Sequence, residues 1–133
     1  MSFTHLGLAH WCLIVAALLP FGAAWIAKAG AFRPHDNAAP REWAARQSGW
    51  RARGMAAQTN CFEGLPLFFG AVLVAQQLGA DAARVDALAL AYVLLRVAYI
   101  GCYLRGLGTL RSLVWLAALI VNLAIFFVAP VAR

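Results

Sequence analysis

Two groups of polar residues stand in otherwise apolar sequence. An ionisable side chain at the centre of a membrane helix costs roughly 2.5–3.5 kcal/mol, so each of them needs a partner or a task. The first group lies in Arg53-Gly-Met-Ala-Ala-Gln58-Thr-Asn60-Cys-Phe-Glu63-Gly-Leu-Pro66, where Arg53, Asn60 and Glu63 are spaced i, i+7 and i+10. At about 100° per residue these three share one face of a helix. The second group is Arg96, Tyr99 and Tyr103 at i, i+3 and i+7, again one stripe, followed by Arg111 and Asn122. Asn122 apart, these guanidinium, amide, carboxylate and phenol groups on neighbouring helices converge on one leaflet, where they would form a basic, hydrogen-bonding pocket flanked by lipid. Such a pocket suits an anionic polar ligand that meets an apolar one.

The same residues also have structural uses. Arg96 and Glu63 are expected to neutralise each other as a buried pair. Asn60 and Asn122 can hydrogen-bond across helices, an interaction of about 0.6–2 kcal/mol in membranes. Tyr99 and Tyr103 can serve as interface aromatics, and an arginine at position 111 is already expected from charge bias at span ends. His5, His10 and His35 lack metal-ligand spacing, and Cys12, Cys61 and Cys102 form no Cys-x-x-Cys pair, so no metal site is expected.

The elements that must position these groups follow from composition. Of 133 residues, 64% are hydrophobic and only 12% charged, against about 25% charged in soluble domains. Most side chains must therefore face lipid or one another, and the chain reads as a single integral membrane domain over 1–133. Four apolar stretches, 6–29, 55–78, 85–104 and 112–132, approach the ~20 residues a membrane helix needs. None alternates apolar with polar residues as a barrel strand does, so an all-α four-helix membrane bundle is expected. The segment 33–53 reads as a polar loop with room for a short interfacial helix, while the connections 76–84 and 105–111 are tight and make neighbouring helices antiparallel.

Charge sets the orientation. Lys28, Arg33, Arg41, Arg46, Arg51 and Arg53 flank the first connection and Arg105 and Arg111 the third, whereas the opposite side carries only Arg84 and Arg133. The basic loops are thus expected in the cytoplasm and both termini outside. Trp25, Trp43, Trp50 and Trp115 fall near the basic ends, where headgroup-level aromatics are favoured. Topology accounts for most of the net charge of +6, and no nucleic-acid partner is expected.

With these features in place, the sequence resembles the membrane-associated proteins in eicosanoid and glutathione metabolism, the MAPEG family. The resemblance rests on Asn60-x-x-Glu63-x-x-Pro66, on Arg96-x-x-Tyr99-x-x-x-Tyr103, and on four expected spans with a long first loop. It implies a homotrimer of four-helix subunits that binds glutathione between subunits at the cytoplasmic side. Asn60 and Glu63 would hold the peptide's polar ends, with Glu63 facing its amino group, and Tyr99 and Tyr103 would contact it from the third span. Gln58 matches a further ligand-contacting position. Arg111 would stabilise the thiolate as the catalytic residue, and Arg53, Arg96 and Lys28 complete the candidate binding set. Ala56 stands where several transferases of the family carry an arginine, and Lys28-Ala29-Gly30 lacks the arginine usual near the end of the first span.

Two functions are compatible with this reading. One is an inner-membrane, bacterial-type transferase or peroxidase-like enzyme that activates glutathione, its co-substrate, against lipophilic electrophiles reaching it through membrane lipid. The other is a non-catalytic membrane protein of the same fold that binds a lipid headgroup or a partner in the same pocket. A proton-coupled antiporter would need an acid on the first span, which has none.

Overall fold

The computed structural model describes residues 5–130, and these form five α-helices, one 3₁₀ turn and no strand. The helices are α1 (Leu8–Lys28), α2 (Pro40–Ala45), α3 (Gly49–Gln77), α4 (Ala82–Leu104) and α5 (Gly108–Phe126), with the 3₁₀ turn at Pro34–Ala38. Helices α1, α4 and α5 are long and apolar enough to cross a membrane. Helix α3 is the longest, at 29 residues, but Gln58, Asn60 and Glu63 interrupt its apolar part and it is not among the helices apolar enough to cross. Positions 131, 132 and Arg133, which carry the end of the expected fourth span and part of the charge count, lie outside the described residues.

The expected boundaries shift in two places. The segment 33–53 is not a loop throughout, because α3 already begins at Gly49 and takes Arg51 and Arg53 into its first turns. Hydropathy marks where lipid-compatible residues start, whereas Arg, Met, Ala and Gln propagate a helix equally well before that point. A short helix stands in this segment as α2. At the other end α5 stops at Phe126 instead of 132, and Asp81 N bonds to Ala129 O beyond it.

Helix α1 packs along α3 and α4, and α5 along α4 and α3. Close approach of α1 and α3 depends on small residues. Ala23, Ala27, Ala57 and Gly54 are all buried, and a Cβ on Gly54 would stand 2.8 Å from Ala27 Cβ and 3.1 Å from Leu104 Cδ2. The buried interior divides into two clusters. One includes Ala9, Cys12, Leu13 and Ala16 of α1, Phe68, Val72 and Ala75 of α3, and Val85, Ala89 and Tyr92 of α4. The other joins Ala23, Ala57, Cys61, Tyr99 and Ile100. Along α4 the residue between the clusters is Arg96.

Charged side chains tie the helix ends together. Asp86 Oδ1 of α4 accepts from Ala9 N at 2.8 Å, satisfying an N-terminal donor of α1. At the opposite end Arg51 Nη1 donates to Ala27 O and Ala29 O at 2.8 Å each, and Arg53 donates from Nε to Tyr103 O and from Nη2 to Leu104 O, both at 3.0 Å. The first turns of α3 thereby cap the carbonyl ends of α1 and α4. Trp43 is buried edge-on against Phe32 with ring centroids 5.3 Å apart.

Gly54→Ala should lower stability by about 1–3 kcal/mol, because the added methyl meets the α1 side chain and cannot be absorbed without moving a helix. Gly22→Ala, which meets nothing within 4 Å, should be neutral or slightly stabilising. Thermal denaturation of the two variants in detergent tests the contrast.

Candidate functional site

Helix α3 presents Asn60 and Glu63, α4 presents Tyr92, Arg96, Tyr99 and Tyr103, and α5 presents Arg111, Trp115 and Asn122 to two adjoining cavities. The one nearer the α4–α5 connection, about 280 Å³, is lined by Asn60, Tyr99, Tyr103, Arg111, Ser112 and Trp115. The deeper one, about 180 Å³, is lined by Asn60, Glu63, Tyr92, Arg96, Trp115 and Asn122 among apolar neighbours that include Leu67 and Leu119. Asn60 and Trp115 belong to both. Since Arg111 and Asn122 are eleven positions apart, the pair of cavities extends about 16 Å along α5.

Arg96 is the most constrained polar residue here, 4% exposed. Its Nη2 donates to Asn60 Oδ1 at 2.8 Å and to Cys61 Sγ at 3.3 Å, and its guanidinium lies 4.3 Å from the Tyr99 ring centroid. The expected Arg96–Glu63 pair does not form: among the described residues the ion pairs are those of Asp36 with His35 and Arg46. Asn60 stands between the two charges instead, its Nδ2 making a long 3.5 Å contact with Glu63 Oε2. The amide of Asn60 is thus polarised from both sides, and it links α3 to α4 as cross-helix glue.

Arg111 lies 4.5 Å from the centroid of the Tyr103 ring, which meets Tyr99 edge-on at 5.5 Å. It is half-buried at the wall of an open cavity. A cation held by an aromatic face keeps its charge available to an incoming anion.

The structure therefore gathers Asn60, Tyr99, Tyr103 and Arg111 in one cavity and Asn60, Glu63 and Arg96 in the other. Three expected ligand residues lie elsewhere. Gln58 lines a separate hollow of about 550 Å³ with Arg41, Thr59, Phe62 and Glu63. Lys28 sits 4.5 Å above the Phe32 ring, and Arg53 uses Nε and Nη2 on the carbonyls that end α4. Sequence reasoning did not place Tyr92, Trp115 or Asn122 at the site. Extending the helical stripes would have found them: Tyr92 precedes Arg96 by one turn, and Trp115 and Asn122 follow Arg111 at i+4 and i+11. Gly64 permits part of this arrangement, since a Cβ there would come within 3.0 Å of the Tyr92 hydroxyl.

The MAPEG family profile matches residues 8–130, nearly the whole chain. The chain belongs to the MAPEG family. No curated protein and no solved structure gives a significant match. Membership makes this a membrane protein of a family that works in glutathione and eicosanoid metabolism, and it agrees with the three membrane-length apolar helices.

For this MAPEG chain, Arg53→Ala should lower stability by about 1–3 kcal/mol, since two charge-assisted hydrogen bonds to half-buried carbonyls disappear. Thermal unfolding without ligand is the check. An unchanged midpoint would mean that water replaces the guanidinium at no cost.

Proposed function

We propose that the protein is a glutathione-dependent transferase or peroxidase-like enzyme of a bacterial inner membrane, and that Arg111 is its catalytic residue. The observation that carries this reading is Arg111 itself: a guanidinium stacked on Tyr103, without a carboxylate partner among the described residues, facing a cavity that Asn60 and Tyr99 also line. A thiol of pKa about 8.5 is only a few per cent thiolate at neutral pH, and a nearby cation raises that fraction by favouring the charged form. The thiol proton leaves to solvent. The thiolate sulfur then attacks a lipophilic electrophile that enters from the bilayer. With an aryl halide a carbon–sulfur bond replaces the carbon–halogen bond and halide leaves. With an unsaturated carbonyl sulfur adds to the β-carbon, the C=C π bond breaks and the enolate takes a proton from solvent. Holding a water-soluble and a lipid-soluble reactant side by side supplies the remainder of the rate enhancement.

In this reading α3 is the fourth span of a four-helix subunit. The basic loops face the cytoplasm and the termini lie outside, as the arginine distribution favours. A homotrimer accounts for the scatter of the ligand set. Gln58 and Lys28 lie away from the cavities that hold Tyr99, Tyr103 and Arg111, so one ligand reaches all of them only if a second copy contributes some. A second reading, a non-catalytic protein binding a lipid headgroup at the same basic pocket, is favoured by Ala56 and Gly30, where relatives with transferase activity place arginines. Lys28 carries charge near the latter position without the planar fork that grips a carboxylate.

Thiolate absorbance of glutathione bound to the detergent-purified protein separates the two. The wild type should show a stoichiometric signal whose midpoint lies below the free-thiol pKa of about 8.5. In Arg111→Ala the midpoint should move up in pH, because removing a cation disfavours the anion. Glutathione affinity, followed calorimetrically, should change by less than about tenfold. No wild-type signal at millimolar glutathione would instead support the headgroup reading.

A further inference from the structure

The deeper cavity contains a polar atom that no described residue satisfies. Asn122 is 2% exposed, and among the described residues its Oδ1 has no hydrogen-bond partner. A buried acceptor without a donor is destabilising, and a leucine, of the same branched shape but apolar, would remove the penalty. The expected role of Asn122 as cross-helix glue therefore does not account for its oxygen, which lines the cavity that Arg96 also lines.

The other groups of this cavity define what would satisfy it. Among the described residues Arg96 is bonded to neutral partners, Asn60 Oδ1 and Cys61 Sγ, and has no counter-ion within salt-bridge distance. Glu63 is a carboxylate whose hydrogen-bond contact is the long one to Asn60. An uncompensated guanidinium, a carboxylate and an unpaired amide oxygen around about 180 Å³ match a zwitterion. A simple carboxylate would satisfy Arg96 but set an anion against Glu63 and Asn122, and a simple amine would do the reverse. An α-amino acid terminus meets all three, with its carboxylate accepting from the Arg96 donors other than Nη2, which Asn60 and Cys61 occupy, and its ammonium between Glu63 and Asn122 Oδ1.

We propose that Asn122 reads the ammonium of the ligand's α-amino acid end, so that the deeper cavity selects thiols whose far terminus is a free α-amino acid. The inference rests on the glutathione reading above and deepens it. Glutathione's γ-glutamyl end carries such a group, and because Asn60 and Trp115 line both cavities, one elongated ligand can place that end by Asn122 and its thiol by Arg111.

The test compares glutathione with its desamino analogue, glutaryl-cysteinyl-glycine, by calorimetry and thiolate absorbance on the full-length wild type, Asn122→Leu and Asn122→Asp. The wild type should prefer glutathione by about tenfold or more, the leucine variant should reduce that preference to within about twofold, and the aspartate variant should retain it. The leucine variant should melt no lower than the wild type, since it loses no hydrogen bond of Oδ1, and this separates lost selectivity from lost folding. A leucine variant that keeps the wild-type preference, or a wild type indifferent to the amino group, overturns the role of Asn122 while the thiolate signal leaves the glutathione reading standing. Absence of any glutathione signal in the wild type overturns both.

Discussion

A guanidinium in the middle of an apolar helix bundle is the constraint around which the remainder of this structure is organised. Arg96 lies between two hydrophobic clusters, and leaving its charge unsolvated there would cost several kcal/mol. The protein meets this cost with neutral groups: the oxygen of Asn60, the sulfur of Cys61 and the face of Tyr99. Neutral partners delocalise and solvate the charge but do not cancel it, which a bonded carboxylate would do. The positive field of Arg96 therefore extends into the cavity beside it, and the small residue Gly64 leaves room there for the Tyr92 hydroxyl. A polar layer of this kind interrupts core packing, and a cavity lined from α3, α4 and α5 lies beside it.

What allows the bundle to accommodate an interrupted core is the way its ends are tied. Acidic side chains serve helix N-termini and basic ones serve C-termini, as the helix dipole favours. Asp86 meets the start of α1 and Asp81 caps α4 through Arg84 N at 2.9 Å. Arg51 and Arg53, consecutive but for one residue, diverge from α3 to the carbonyl ends of two different helices. These bonds act outside the apolar midsection, where water competes for the same groups, so each is modest. Together they fix the relative height of α1, α3 and α4, and height determines which turn of α3 faces Arg96.

Much of the fold was legible in the sequence, because a bilayer leaves helices as the economical way to bury a backbone and because ~20-residue apolar runs are hard to mistake. Three of the four expected spans coincide with helices α1, α4 and α5 to within a few residues at most ends, whereas the start of α3 did not. Apolarity and helicity part company there, and the polar residues that obscure the start of α3 are the ones that build the site. Within the site, the two stripes on α3 and α4 were readable as periodic polar positions. The Arg96–Glu63 pair was not, since opposite charges in one leaflet suggest a direct bond and only the side-chain geometry shows Asn60 between them. Asn122 was read as packing because a lone amide on an apolar helix usually is packing. Its missing partner is a property of three helices at once, and no single stretch of sequence carries it.

The arginines sort by what each has already committed. Arg51 and Arg53 have their donors turned to backbone carbonyls, and Arg96 is enclosed by Asn60, Cys61 and Tyr99. Arg51 and Arg53 would have to break good hydrogen bonds before stabilising charge that develops in a reaction, which would subtract from catalysis, and Arg96 lines the deeper cavity instead of the one that Arg111 lines. Arg111 has no such commitment: its contact is the Tyr103 ring, which holds the cation without using its N–H donors. Tyr103 is itself positioned by the Arg53 bond to its carbonyl oxygen and by its edge-on contact with Tyr99. The capping arginine at the end of α4 is thus two contacts from the arginine proposed to meet the thiolate. Loss of Arg53 would loosen the aromatic support of Arg111 as well as the helix end, which is a route by which a residue outside both cavities can affect what happens in them.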